Sequence, residues 1–110
     1  MSNQQRLLSE RLPRDGEQFM VEDDVLGEVI IVERRGVQAY KNSCPHIGVG
    51  MDYGNGDCLF EPGVLLCSLH GALFEADTGL CIDGPCRGDH LSRITITITD
   101  EGIAVPCTTP

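Results

Sequence analysis

Alternation of apolar and polar residues is clearest near the C-terminus, in "RITITITDEGIAVP". There Ile94, Ile96 and Ile98 alternate with threonines, and a turn over residues 100–102 leads into a second apolar run, 103–105. A period of two followed by a turn is typical of a β-hairpin that has one face in the core. This pattern predicts such a hairpin, with the isoleucine face buried.

Six other runs have the composition of short strands, because they are rich in valine, isoleucine, leucine and aromatic residues. Glycine-containing turns at Arg35-Gly36 and at Asp77-Thr78-Gly79 each predict a hairpin between neighbouring runs. Many short strands separated by turns favour an all-β fold, an antiparallel β-sandwich or barrel. The six runs are 16–24, 27–36, 37–43, 64–68, 72–75 and 80–82.

Two stretches interrupt this strand pattern. Residues 4–12, "QQRLLSERL", stop before Pro13 and predict a short helix, so that residues 1–14 would be a short helical or flexible N-terminal extension. Residues 44–63 are rich in glycine and contain two prolines, which favours a long loop with at most a very short strand inside it. Loops of that length in small domains usually carry function.

Length and composition are those of one ordinary globular domain, which we expect to cover residues 1–110. Hydrophobic residues make up 41% of the chain and charged residues 23%. No apolar run has the length of a membrane-spanning helix, and the N-terminus lacks the apolar segment of a secretory signal. We therefore expect a cytoplasmic protein with no membrane partner. In that reducing compartment, its six cysteines are expected to be thiols or metal ligands rather than disulfides.

The charge balance is strongly acidic, with 17 acidic and 8 basic residues and a formal net charge of -9. This charge would repel phosphate backbones, so nucleic acid is excluded as an expected partner. The acidity favours solubility, and it also suits docking on a basic surface of another protein.

Two short pairs of cysteine and histidine are the candidate chemistry of the chain: Cys44-x-His46 and Cys67-x-x-His70. Two thiolates and two imidazoles suit either a zinc ion or an iron–sulfur cluster. Zinc sites more often combine a C-x2-4-C pair with an H-x3-5-H pair than two mixed pairs, which favours the cluster. A thiolate–imidazole hydrolase would use one pair and leave the other unexplained.

The segments "CPHIGVG" and "CSLHGALF" resemble the two ligand boxes of Rieske-type ferredoxins. The resemblance implies one [2Fe-2S] cluster, with Cys44 and Cys67 on one iron and His46 and His70 on the other. It continues through "TGLCIDGPCRG", in which residues 84–86 resemble the proline-containing third loop that covers the cluster. The implied fold is a Rieske-like β-sandwich or barrel with two cluster-binding loops.

The same resemblance implies a reduction potential. Neutral imidazoles in place of two thiolates raise the potential to about -150 to +300 mV, against about -400 mV for plant-type ferredoxins. High-potential members carry a disulfide between the ligand loops and hydroxyl donors to the cluster. Val49 and Leu69 occupy the disulfide positions, and Ala72 and Phe74 occupy the donor positions. We therefore expect the low, oxygenase-associated end of the range, near about -150 mV.

The resemblance further implies a one-electron carrier that is not itself an enzyme. It would take electrons from a flavin-containing NAD(P)H reductase and pass them to a terminal oxygenase, as a monomer. The spacing between His46 and Cys67 is longer than in the commonest soluble members, which leaves the subfamily and partner open. The alternatives are a non-catalytic subunit or redox-sensing module of a larger complex, and a structural zinc module.

The remaining candidates have plainer explanations. Cys58, Cys81, Cys86 and Cys107 are expected to be buried or partly exposed thiols. Cys81 and Cys86, spaced C-x4-C, could instead form a bridge or bind a second metal, which a reducing compartment disfavours. His90 is expected to be a surface or turn residue.

Overall fold

The computed structural model describes residues 5–43, 58–67 and 71–106. These residues form ten strands, all in antiparallel pairs, and contain no helix. The strands are β1 (Gln5–Ser9), β2 (Gln18–Asp23), β3 (Gly27–Glu33), β4 (Val37–Lys41), β5 (Leu59–Glu61), β6 (Val64–Cys67), β7 (Ala72–Glu75), β8 (Cys81–Asp83), β9 (Thr97–Thr99) and β10 (Gly102–Pro106). The predicted all-β fold is confirmed.

The ten strands make three sheets. The first sheet has the order β1-β10-β9, the second β2-β3-β4 and the third β5-β6-β7-β8. Both predicted hairpins are present, β3–β4 across Arg35 and Gly36 and β7–β8 across residues 76–80. Arg35 and Gly36 have φ angles of 59° and 104°, the left-handed conformation that a tight hairpin turn requires.

The central strand β3 buries both of its faces. Its alternate side chains point to opposite sides of the sheet, so Val29 and Ile31 enter a small core while Ile30 and Val32 enter a large one. The small core consists of Leu8, Val29, Ile31, Ala39, Ile103 and Val105. The large core consists of Ile30, Val32, Tyr40, Cys58, Leu65, Cys67, Ala72, Phe74, Ala76, Cys81, Cys86 and Leu91. The first sheet covers one face of β3, and the third sheet covers the other.

The helix predicted over residues 4–12 is wrong, because residues 5–9 form strand β1 of the first sheet. Arg6 pairs with Val105 and Leu7 with Ala104 in an antiparallel register with β10. Only Leu8 and Ser9 of the strand are buried. The helical periodicity was weak, and pairing with β10 satisfies the backbone while burying Leu8, so tertiary contacts decide the conformation.

The C-terminal hairpin is present, but its isoleucine face is only partly buried. Ile94 and Ile96 pack against the small core, whereas Ile98 is 49% exposed, so the predicted burial is wrong at Ile98. The regular strand β9 is limited to residues 97–99. Residues before it cross to the second sheet, where Arg93 bridges to Tyr40 and the Ile94 amide donates to the Ala39 carbonyl. Ile98 lies beyond this contact, on the edge strand of its sheet.

An ion pair joins the first and second sheets. Arg6 Nη2 on β1 donates to Asp23 Oδ2 at the end of β2 over 2.5 Å. The same carboxylate accepts hydrogen bonds from the backbone amides of Val25 and Leu26, at 3.0 and 2.8 Å. The hydrogen bond from Arg6, helped by the two amides, lowers the pKa of Asp23 below its usual value of 3.8 against the opposing effect of burial.

The variant Asp23→Asn is expected to lose about 1–2 kcal/mol of unfolding free energy at neutral pH, because the partly buried ion pair with Arg6 loses its negative charge. The pKa of Asp23 is depressed in the folded state, so the stabilisation is present above the unfolded pKa and is lost as pH falls through the folded one. Urea unfolding at neutral and acid pH measures both effects. Exposed Asp24→Asn is the control; an equal loss in the two variants would contradict the assignment.

Candidate metal centre

Cys67 is the predicted ligand that the structure describes. It is the last residue of β6 and pairs with Ala72, the first residue of β7. The alternation of β6 places Leu65 and Cys67 on the inward face, and both side chains are fully buried. The Gly71 amide donates to the Cys67 carbonyl over 2.8 Å, which returns the chain antiparallel to β6.

The other three predicted ligands, Cys44, His46 and His70, lie outside the described residues, so the four-residue ligand set stays a prediction. Cys44 follows Ser43, just past the end of β4. Because β4 pairs with the central strand β3, the first ligand box leaves the second sheet and the second ligand box leaves the third sheet.

The surroundings of Cys67 are apolar. Its cross-strand partner Ala72 and the next inward residue of β7, Phe74, are both fully buried. These are the two positions at which hydroxyl donors were expected to be missing, and neither side chain carries a hydroxyl. A buried hydroxyl does exist in this core, at Tyr40, but it donates to the Ala76 carbonyl over 2.8 Å. Burial raises the pKa of Tyr40 to about 12, so it stays protonated at physiological pH.

The predicted third loop packs against the strand that pairs with Cys67. Gly84 has a φ of 106°, and a Cβ placed on it would lie 2.7 Å from the Cα of Ala72. This contact holds the loop backbone closer to β7 than any other residue type would allow. Pro85 is exposed, whereas Cys86 is buried.

One feature of this loop was not predicted from the sequence, and a second matches an alternative that the sequence left open. The first is the close approach of Gly84 to Ala72, which the glycine-proline dipeptide alone does not indicate. The second is the position of Cys86, whose sulfur lies 2.9 Å from the sulfur of Cys81. The C-x4-C spacing was the available signal for it. Cys58, Cys81 and Cys86 are buried thiols, as expected, and His90 is exposed, as expected. Cys107 lies outside the described residues.

The described residues are compatible with the predicted cluster ligand at Cys67. Iron–sulfur clusters are bound by cysteine thiolates, and the Cys67 side chain lies at a strand end inside an apolar core. Within residues 5–43, 58–67 and 71–106, no group of three or more histidine, cysteine or acidic side chains is arranged to hold a metal ion. A second metal at Cys81 and Cys86 therefore finds no third ligand among these residues.

Comparison with known families distinguishes an iron–sulfur cluster from a zinc site. The family model of the Rieske [2Fe-2S] domain matches residues 4–105. The chain belongs to the Rieske [2Fe-2S] domain family. Its cofactor is accordingly one [2Fe-2S] cluster, as predicted, and the zinc alternative is set aside. No curated protein matches the sequence.

Solved structures share the fold of this Rieske protein. The Sphingomonas yanoikuyae B1 ferredoxin is 23% identical with a TM-score of 0.69, over 94% of this chain and 97% of that chain. A chain in the complex of reduced oxygenase and oxidized ferredoxin in carbazole 1,9a-dioxygenase is 19% identical with a TM-score of 0.64, over 86% of this chain and 83% of that chain. The terminal oxygenase of carbazole 1,9a-dioxygenase from Novosphingobium sp. KA1 is 20% identical with a TM-score of 0.69, over 98% of this chain but 31% of that chain. These likenesses confirm the Rieske-like fold.

In the described part of the chain, no helix long and apolar enough to cross a membrane is found.

The close contact between Gly84 and Ala72 leads to a prediction about the free energy of unfolding. Gly84→Ala is expected to lower the unfolding free energy by about 2–4 kcal/mol, because backbone strain is added to a clash with the Ala72 Cα. Gly88→Ala is the matched control, since Gly88 has a φ of 95° but no atom within 4 Å of an added Cβ. It should cost about 1 kcal/mol, from strain alone. Denaturant unfolding separates the two, and equal losses would mean that the contact with Ala72 contributes nothing.

Proposed function

We propose that this Rieske protein is a one-electron carrier, which takes electrons from a flavin-containing NAD(P)H reductase and passes them to a terminal oxygenase. The observation that carries the proposal is the family match over residues 4–105, joined by the end-to-end alignment with a ferredoxin. Chains of terminal oxygenases are matched over less than a third of their length. A carrier with no catalysis of its own fits this pattern best.

The proposed ligands divide between the two irons by their chemistry. Cys44 and Cys67 supply thiolates to one iron, and His46 and His70 bind the other through a ring nitrogen. A bound [2Fe-2S] cluster supplies a centre that accepts and releases one electron at a time. Ala72 and Phe74 exclude water on the β7 side and donate no hydrogen bond from their side chains. Since hydrogen bonds to the sulfurs raise the potential, this surface supports a value near about -150 mV.

The acidic surface supports docking on a basic partner. Asp83 and Asp89 are exposed on either side of the third loop. Asp83 pairs with Leu73 of β7, and the Asp89 carbonyl accepts a hydrogen bond from the Cys81 amide of β8. The chain as a whole carries a formal charge of -9. Charges at the edge of an interface chiefly raise the rate of encounter, and salt screens them within about 8–10 Å. Electron transfer to the partner is therefore expected to slow as ionic strength rises.

The cofactor and its proposed ligands are tested by visible absorption and electron paramagnetic resonance before and after dithionite, with metal analysis. The expected protein is coloured, contains iron and no zinc, and becomes paramagnetic on reduction. Variants His46→Ala and Cys67→Ala should lose the spectrum, while exposed His90→Ala should keep it. A colourless zinc protein, or loss of the spectrum in the His90 variant, would overturn the assignment.

The carrier role is tested with purified reductase and oxygenase as separate proteins. Substrate turnover by the oxygenase should require this protein and decline with added salt. Asp89→Lys should lower the rate about two- to tenfold at low salt, because it reverses an exposed charge that follows the third loop. Asp100→Lys, in the remote β9–β10 turn, makes the same charge change and is the control.

Three results would contradict these proposals, two of them the docking surface and one the carrier role. Equal effects of the two lysine variants, or indifference to salt, would remove the acidic docking surface. Copurification as a stoichiometric subunit, without turnover with a separate reductase, would favour a subunit of a larger complex. The single domain over residues 1–110, the monomeric state and the cytoplasmic location stay predictions.

A further inference from the structure

Cys81 and Cys86 form a pair of buried thiols that the electron-carrier role does not use. Their sulfurs lie 2.9 Å apart, and the two residues are only 1% and 2% exposed. Cys86 Sγ donates to Cys81 Sγ, and Cys81 Sγ in turn donates to the Asp83 carbonyl over 3.3 Å. The first of these bonds holds the two sulfurs face to face, so a disulfide between them requires the sulfurs to approach by less than 1 Å, to about 2.05 Å.

The backbone holds the pair in this position. The Cys81 amide donates to the Asp89 carbonyl over 2.8 Å, and the Gly88 amide donates to the Cys81 carbonyl over 3.1 Å. On the other side of the loop, the Asp89 amide donates to the Cys86 carbonyl over 2.8 Å. Both cysteines are thus fixed by hydrogen bonds within one short loop, so their closeness is a property of the folded loop.

We propose that Cys81 and Cys86 are a reversible thiol–disulfide modification site, with hydrogen peroxide as the oxidant. One thiol loses its proton and the thiolate attacks the peroxide, the O–O bond breaks, a sulfenic acid forms, and the hydroxide that leaves takes up the proton as one water. The second thiol attacks that sulfur, the S–S bond forms, the S–O bond breaks and a second water leaves. Two electrons pass from the two thiols to one peroxide, and the two thiol protons end in the waters. A dithiol reductant restores both thiols by exchange.

The site lies next to the cluster-binding strand pair. Gly84, between the two cysteines, packs on Ala72, and Ala72 is the cross-strand partner of Cys67. Both sulfurs are covered, whereas residues 83–85 beside them are exposed, so the reaction requires a local opening of this loop that admits the small peroxide molecule. A disulfide here ties the third loop to β8. The proposal goes beyond the carrier role and does not depend on it.

Fragment analysis of the cluster-loaded protein tests the proposal directly. Cleavage after Glu75 and Glu101 releases residues 76–101, which contain Cys81 and Cys86 and no other cysteine. The protein is titrated with peroxide while its visible absorbance is followed, then denatured in alkylating reagent and digested. The expected fragment is lighter by two hydrogen atoms than the fragment with two free thiols, and it carries no alkyl group. After reduction with dithiothreitol it takes up two alkyl groups. It should form before the visible absorbance of the cluster declines.

Other outcomes overturn the proposal. One is a fragment in which both cysteines are still alkylated after peroxide, and another is a fragment that carries sulfinic or sulfonic acid. The others are a disulfide to a cysteine outside the fragment and a disulfide that appears only after the cluster is lost. Cys58→Ser removes another buried thiol of the large core and should leave the disulfide unchanged. In the Cys86→Ser variant, Cys81 should form no disulfide at the same peroxide dose, and dithiothreitol should return any oxidised Cys81 to the thiol. The wild-type fragment decides the question even where this variant fails to fold.

Discussion

Burial of both faces of β3 is the constraint on which the rest of the structure depends. Four consecutive apolar residues, 29–32, alternate between the two cores, and each is almost completely inaccessible to solvent. Burying one such side chain contributes about 1.5–3 kcal/mol, and no single sheet can cover both faces. The first sheet therefore packs on Val29 and Ile31, and the third sheet packs on Ile30 and Val32.

The large core extends this packing to Cys67, the proposed ligand that the structure describes. Tyr40, on β4, is fully buried and ties the second sheet to the third through its bond to the Ala76 carbonyl. Phe74 and Ala72 then set the inward face on which Cys67 lies. Within the described residues, one packed unit thus holds the Cys67 side chain among buried apolar side chains, and neither residue 72 nor residue 74 carries a hydroxyl. The same core also holds the sulfurs of Cys81 and Cys86 close together, so the proposed cluster ligand and the proposed disulfide pair lie in one core.

Much of the fold could be predicted from local pattern, because period-two alternation and glycine turns are properties of neighbouring residues. The hairpins at Arg35-Gly36 and at residues 76–80 are of this kind, and the family was indicated by the two Cys/His boxes. The features that local pattern did not predict depend on contacts between residues far apart in the sequence. Residues 5–9 are a strand because β10 offers a partner, and Ile98 is exposed because its strand is an edge. The contact of Gly84 with Ala72 and the facing sulfurs likewise depend on how the loop folds back. Three of the four proposed ligands lie outside the described residues.

The central claim is that one cluster is bound by two histidines as well as two cysteines. Pulsed electron paramagnetic resonance tests this claim most directly. The protein is produced with isotope-labelled histidine and reduced with dithionite, because only the nitrogen of a coordinated imidazole couples strongly to the unpaired electron. The chain has three histidines. The account predicts two strongly coupled histidine nitrogens, unchanged in His90→Ala. A reduced cluster with no histidine coupling, or coupling lost in the His90 variant, would contradict it.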